Sequence, residues 1–367
     1  MENGKINILV AAGGTGGHLF PAMAVVEQLR YLTNNRVEPY FVGNPNRLES
    51  NKVPEAGYKF TPLTLTGFHG LFKVSTLKLP FKILESIKIC KRIIKDNNIK
   101  AVICAGAYLS YPAGVAAKSC GIPLILMESN INPGKAIKSL TNRSSMIITS
   151  FDESEKYFTG KNRNKIKCLG NPVRNFLYSL PNKSEALQKL GLDPNKRTVF
   201  IFGGSLGARS LNWAVELDIH AFDENKIQFI WQTGNNYELQ EDPPANVKLY
   251  KFIDDMATCY AACDIVVSRS GATTVAELAL VGKPSILVPL SSASNNEQEH
   301  NARYFEKKGA SIVMLDKDIQ GKLGRMINET ALNEDLLKLM GEQALKLSKP
   351  NAAINSAKAI LNLINEN

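Results

Sequence analysis

The chain is poor in the residues that build covalent or metal-held frames. Its six cysteines, Cys90, Cys104, Cys120, Cys168, Cys259 and Cys263, include no pair at Cys-x-x-Cys spacing. The scattered placement reads as reduced, cytosolic usage rather than a disulfide scaffold or a cysteine zinc site. No apolar run reaches the ~18–20 residues of a membrane span. The longest candidate, 101–117, is broken by Ser110, Pro112 and several glycines. The first apolar stretch, "INILVAA", runs straight into glycines without a cleavage region, so no secretion leader is expected. Two common phosphate-binding signatures are missing as well. Neither glycine-rich loop is followed by the Lys-Ser/Thr of a P-loop. The dinucleotide fingerprint fails at its third glycine, where Leu19 stands, and "YFVGNPN" offers no acid for a ribose, which argues against NAD.

What is present is a repeated α/β rhythm. Apolar runs at 6–11, 38–42, 101–104, 124–127 and 146–149 alternate with helical patterns such as 21–32 and 81–96. Such alternation predicts a doubly wound parallel sheet. After the polar stretch 176–197, read as a connection with one short helix, the rhythm restarts. Strands are expected at 198–202, 228–232, 247–250, 265–268, 285–288 and 311–314. A length of 367 residues also favours two domains. The boundaries read as 1–175 and 176–350, with a last helix at 351–367 that packs back on the first half.

The restart repeats a motif. "VFIFGGSLGARSLN" mirrors "ILVAAGGTGGHLFP": strand, glycine-rich loop, helix. Glycines at such a turn let backbone N–H groups approach an anion, and the helix N-terminus adds roughly half a positive charge. A third turn of this kind is "DIVVSRSGATTVAEL", with a helix beginning near Ala272. Glu277, one turn further in, either accepts hydrogen bonds from ribose hydroxyls or merely favours the helix start.

The formal charge of +10 is concentrated. Residues 71–95 hold seven basic residues (Lys73, Lys78, Lys82, Lys88, Lys91, Arg92 and Lys95) and one acid, Glu85. They are interleaved with Leu71, Phe72, Leu77, Leu79, Phe81 and Ile83, while Leu84, Ile87 and Ile94 are expected to face the core. The bland reading is a solvated amphipathic helix; the sharper one is contact with an anionic membrane surface. Nucleic acid is not expected, because no recognised binding module is present.

The motifs "GGTGGH" (13–18), "GNPVR" (170–174), "GGSLGA" (203–208), "FIDDM" (252–256) and "RSGATTVAE" (269–277), in this order, resemble one family. It is the bacterial peptidoglycan undecaprenyldiphospho-muramoylpentapeptide β-N-acetylglucosaminyltransferases, and the resemblance spans nearly the whole chain. It implies a GT-B fold, two Rossmann-like doubly wound domains facing across a cleft. It implies inverting transfer of N-acetylglucosamine from UDP-N-acetylglucosamine to the muramoyl 4-hydroxyl of an undecaprenyl-linked muramoyl-pentapeptide acceptor, peripherally at the cytoplasmic face of the membrane. For donor contacts it implies Thr15, Gly16, Gly17, Asn130, Arg174 at the uridine end, Ser205, Ile253 at the base, Ala272, Thr273, Thr274, Val275, Ala276 and Glu277 at phosphate and ribose, and Gln298 at the sugar. Two departures stand out. The family commonly has His-Glu-Gln-Asn where this chain has Met127-Glu128-Ser129-Asn130, and often a glutamine where Glu297 precedes Gln298.

Inverting transfer needs a base. His18, directly after the first glycines, is the first candidate, because a helix N-terminus disfavours imidazolium and keeps the ring neutral. A loop-packing or pyrophosphate-contacting histidine is the other reading. Glu128 and Tyr108 are rivals, Tyr108 as a group that places the acceptor. No cofactor and no metal are expected: the one Asp-x-Asp string, Asp316 and Asp318, reads as a helix cap, and helix amides near 272–274 with Ser205 would take the pyrophosphate charge. Readings from other classes are a UDP-N-acetylglucosamine 2-epimerase, a glycosyltransferase acting on diacylglycerol or sterol, and a non-catalytic nucleotide-sugar binder.

Overall fold

A computed structural model describes residues 4–65, 79–204 and 207–366. Two compact units emerge, Met1–Val173 with Pro350–Asn367, and Arg174–Lys349.

The first unit holds a parallel sheet of β1 (Ile6–Ala11), β2 (Val37–Gly43), β3 (Lys59–Pro62), β4 (Ala101–Cys104), β5 (Leu124–Glu128), β6 (Met146–Thr149) and β7 (Ile166–Cys168). Its order is β3-β2-β1-β4-β5-β6-β7. Both faces are covered, and β1 shows why. Ile8, Val10 and Ala12 enter one apolar cluster, while Leu9 and Ala11 enter the other. A strand apolar at every position is what a sheet sandwiched between helices requires. The first cluster also takes Ala357 and Ile360 of helix Ala352–Asn365, which lies against helix Gly16–Leu32.

The second unit repeats the plan with β8 (Arg197–Phe202), β9 (Ile227–Gln232), β10 (Val247–Tyr250), β11 (Ile265–Ser268), β12 (Ser285–Leu287) and β13 (Ser311–Val313). Their order is β10-β9-β8-β11-β12-β13, again parallel. In each sheet the order reverses beside the strand that carries the glycine loop, at β1/β4 and at β8/β11. Ligands of open parallel sheets bind beyond the carboxyl ends of the strands at such a reversal.

Three expectations need correction. Helix Gly16–Leu32 starts before Pro21, not at it. Thr15 is extended (φ −147°, ψ 160°), and its carbonyl accepts from His18 and Leu19, both at 3.2 Å, so the cap lies inside the glycine run. Two short strands, β3 and β7, were not anticipated; both lie at sheet edges, are only four and three residues long, and contain no fully buried residue. On helix Leu79–Asp96 the core stripe is Ser86, Cys90 and Ile94, spaced four apart, so Leu84 turns outward at 56% exposure. Among the described residues no helix is long and apolar enough to cross a membrane.

Candidate active site

In the first unit the site begins with a buried carboxylate. Glu49 opens helix Glu49–Glu55 and is fully buried. Its Oε2 accepts from the Gly14 N–H at 3.0 Å and its Oε1 from the Asn44 N–H at 2.9 Å. Asn44 Nδ2 in turn donates to Tyr108 Oη at 3.1 Å. The loops after β1, β2 and β4 are thereby tied together. Gly16 and Gly17 form the first helical turn, where N–H groups have no acceptor within the helix.

His18 is half-buried on this frame. Its Nδ1 meets Thr15 Oγ1 at 3.1 Å. The opposite edge of the ring faces Gly106, where a Cβ would stand 2.5 Å from Cδ2 and 2.9 Å from Nε2. Gly106 has φ +88° and is followed by Ala107 at φ +56°, so this turn is held in a conformation that side-chain-bearing residues rarely adopt. Only glycine at 106 leaves Nε2 room. Burial lowers the His18 pKa from its ordinary value, while the charge of Glu49 acts to raise it. The direction is the one expected from the helix dipole, but its main cause is burial.

Glu128 ends β5 and is turned to another task. Its two oxygens accept from the Asn130 and Gly134 N–H groups, each at 2.8 Å, so the carboxylate braces the loop 128–134 that presents buried Asn130.

The second unit contains a cavity of about 1130 Å³ at the carboxyl ends of its strands. Gly203, Gly204 and Gly207 form one wall, and Gly271, Thr274 and Gln298 another. Gly207 is irreplaceable: at φ +78°, a Cβ there would lie 2.2 Å from the Thr233 carbonyl oxygen. The loop is braced by buried Gln232, whose Nε2 donates to the Gly204 carbonyl at 3.1 Å and whose Oε1 accepts from the Ile253 N–H at 2.8 Å. Ser205 falls outside the described residues, as do His69, Lys73 and Lys78.

Arg269 lies beneath the cavity, 7% exposed. Its Nη1 donates to Asp316 Oδ1 at 2.6 Å and to the Val288 carbonyl at 3.1 Å, and its Nη2 to Ser210 Oγ at 2.7 Å. Asp316 was expected to cap a helix. Instead it neutralises a buried guanidinium, and helix Leu323–Ala331 starts further on with Lys322 at its N-cap. Among the described residues no three histidine, cysteine or acidic side chains are grouped to hold a metal ion.

Helix Ala272–Val281 begins at Gly271. Ala272, Thr273 and Thr274 present its first amides, whereas Val275 is fully buried and its N–H bonds the Gly271 carbonyl at 3.1 Å. Ala276 is half-buried. Glu277 is paired: Arg174 Nε and Nη2 donate to its two oxygens, each at 2.8 Å, and Tyr260 Oη donates to Oε2 at 3.1 Å. A carboxylate has about four acceptor sites, so three are used and one remains open. Gln298 Oε1 accepts from the Leu290 N–H at 3.0 Å, which fixes the side chain at the cavity edge. Burial raises the pKa of neighbouring Glu297.

Sequence reasoning missed Glu49, Gln232 and Tyr260, and gave Asp316 a different role. The only signal for Glu49 and Gln232 is position, each just beyond or at the end of a strand adjoining a glycine loop.

The models of the glycosyltransferase family 28 N-terminal and C-terminal domains match residues 8–148 and 198–358. A UDP-N-acetylglucosamine--N-acetylmuramyl-(pentapeptide) pyrophosphoryl-undecaprenol N-acetylglucosamine transferase of Caldicellulosiruptor saccharolyticus is 36% identical over 367 residues, 98% of each chain. One of the same name from Bacteroides fragilis is 33% identical over 371 residues, covering 99% of this chain and 97% of its own. Among solved structures, MurG of Acinetobacter baumannii superposes with a TM-score of 0.78 at 25% identity, covering 99% of this chain and 100% of that one.

Proposed function

The chain belongs to glycosyltransferase family 28, and from that premise we propose that it transfers N-acetylglucosamine from UDP-N-acetylglucosamine to the muramoyl 4-hydroxyl of an undecaprenyl-pyrophosphoryl-muramoyl-pentapeptide, with inversion. The fold is α/β of the GT-B class. The unit Met1–Val173 with Pro350–Asn367 serves the acceptor and the membrane, and Arg174–Lys349 the donor.

The observation that carries the mechanism is the setting of His18. In the tautomer whose Nδ1–H donates to Thr15 Oγ1, the neutral ring has Nε2 as its acceptor, and glycine at 106 avoids the Cβ that would crowd that atom. The acceptor hydroxyl attacks the anomeric carbon, its proton passes to Nε2, and the bond from that carbon to the pyrophosphate oxygen breaks. The charge that develops on UDP falls on the N–H groups of Ala272, Thr273 and Thr274 and on the second glycine loop with Ser205, which is electrostatic stabilisation by preset dipoles. Ile253 meets the base, Arg174 the uridine end, the open acceptor site of Glu277 a ribose hydroxyl, and Gln298 the sugar. Thr15, Gly16, Gly17 and Asn130 are further donor contacts. Tyr108, held by Asn44, places the acceptor, and Glu128 acts by shaping the Asn130 loop. No metal is required by this arrangement.

The test is UDP release from UDP-N-acetylglucosamine with and without a muramoyl lipid acceptor, in the presence of a chelator. Release that needs the lipid and survives chelation is expected. Acceptor-free conversion of the donor would turn the assignment toward an epimerase.

The basic helix supplies the membrane contact, at the cytoplasmic face, and nucleic acid is not a partner. Phe81 is 75% exposed and Leu84 56%, adjacent on the outer side of helix Leu79–Asp96 among Lys82, Lys88, Lys91 and Arg92. Each basic residue near an anionic surface adds about 1 kcal/mol, an attraction that salt screens. Binding to anionic vesicles is therefore expected to fall steeply with ionic strength, and Phe81→Ser to weaken it further. Equal binding to neutral vesicles would refute this.

A further inference from the structure

We propose that Glu49 is a positioning residue for the reaction: its carboxylate holds the first glycine loop from beneath and sets a negative charge in the frame that carries the ring receiving the proton. The second half of this proposal rests on His18 being the base; the first half does not.

The geometry shows a loop built around this side chain. The Glu49 carboxylate spans from the Gly14 N–H to the Asn44 N–H, so one side chain fixes the ends of β1 and β2 together. A Cβ at Gly13 would stand 2.3 Å from Glu49 Cδ, and one at Gly43 2.5 Å from Glu49 Cγ. Both glycines exist to let the carboxylate in. Asn44, so held, carries Tyr108, and the Gly14 amide is spent on Glu49 rather than left for a ligand.

The second unit makes the contrast informative. There the corresponding glycine loop is braced by Gln232, a neutral amide that bonds Gly204 and Ile253. The side chains that brace two loops of similar sequence thus differ, a carboxylate in one and a neutral amide in the other. A fixed carboxylate opposes a second anion and favours a cation in a site shielded from water. The first loop is therefore suited to a transient imidazolium, and the second, with no acid as its brace, to phosphate. The groups at the His18 ring agree. Thr15 Oγ1 meets Nδ1, the Gly106 backbone faces the other edge, and the Glu49 charge acts to raise the ring's pKa. Burial alone would make the imidazole a poor proton acceptor; the carboxylate offsets part of that.

Glu49→Gln removes the charge at nearly constant shape. The readouts are the titration of the His18 ring by NMR, with His18→Ala identifying its signal among the four histidines, together with the pH–rate profile, UDP affinity and a thermal melt. The His18 titration and the acid limb of the rate profile should both move to lower pH. Turnover should fall by about 10-fold, less than the ~10²-fold that a 1 Å misplacement can cost, and UDP affinity should hold. Should the glutamine variant fail to fold, Glu49→Asp keeps the charge but withdraws it, and a smaller movement in the same direction is expected. A folded variant whose His18 titrates where the wild type does overturns the proposal. Because the titration is read without substrate, it stands apart from the identity of the base: loss of turnover in Glu49→Gln with near-normal turnover in His18→Ala would retain the brace and reject the electrostatic half.

Discussion

Replacing His18 by alanine is expected to lower turnover by about 10²–10⁴-fold, the usual worth of a positioned general base, while UDP affinity stays near the wild-type value. The split follows from where the residues lie. His18 belongs to the first unit, and the cavity lined by Gly207, Gly271, Thr274 and Gln298 lies wholly in the second. A contact that serves only the moving proton lowers kcat; one that holds UDP would raise the donor KM as well. The pH dependence has a fixed sign. Burial lowers the His18 pKa from its ordinary value, so the basic, neutral form prevails at neutral pH. Wild-type rate should be level through neutrality and decline only as pH drops through that lowered value, and the limb should vanish in the alanine variant. Stopped assays with a soluble muramoyl lipid analogue, beside UDP titration calorimetry, provide both numbers. Near-normal turnover in a folded His18→Ala would remove the base assignment.

The reasons some of this was readable from sequence, and some not, are physical. Strand positions were legible because a sheet covered on both faces demands unbroken apolar runs, as in β1 and β8, whereas β3 and β7 are edge strands whose half-exposed residues carry no such pattern. The glycine loops were legible because their backbone leaves no alternative: Gly207 and Gly13 each abut an atom that a Cβ would strike. The start of helix Gly16–Leu32 was misread because proline marks a first turn by propensity, and Thr15 in an extended conformation overrode it. The outward turn of Leu84 has the same character: hydrophobicity put it inside, but the small residues Ser86 and Cys90 set the helix phase.

The braces were invisible for a different reason. Glu49 reads as an acid in an ordinary first helical turn, and Gln232 as the end of a strand. Their function arises from partners 35 and 28 residues away in the chain. No local pattern marks such a pair, and the residue types are common. Glu277 was found because its loop gave it context, but its bidentate partner Arg174 lies 103 residues off and was assigned to the uridine end on resemblance alone.

Asp316→Ala is expected to produce the largest loss of stability. The argument turns on burial. The Arg269 and Asp316 side chains are 9% and 14% exposed, whereas the Arg325–Glu329 pair, with the same 2.7 Å class of contact, is 82% and 55% exposed. An exposed pair on a helix is worth about 0.3–0.5 kcal/mol. Breaking a buried pair from one side costs about 3–5 kcal/mol, because the remaining charge keeps its desolvation penalty. Arg269 would retain Ser210 Oγ and the carbonyls of Val288 and Pro289, which are dipoles and not a countercharge. At roughly 2–4 °C per kcal/mol for a domain of this size, the second unit should melt about 10 °C lower. A double variant, Arg269→Met with Asp316→Leu, separates stability from function: apolar replacement of a buried pair is often neutral, so the melt should recover. Donor binding should not recover, since Arg269 also lines the cavity beside Gly271 and holds Ser210 at its wall. If Asp316→Ala melts like the wild type, the pair is worth no more than a surface bridge. If the double variant binds UDP-N-acetylglucosamine normally, the guanidinium is ballast for the fold and has no part in shaping the cavity.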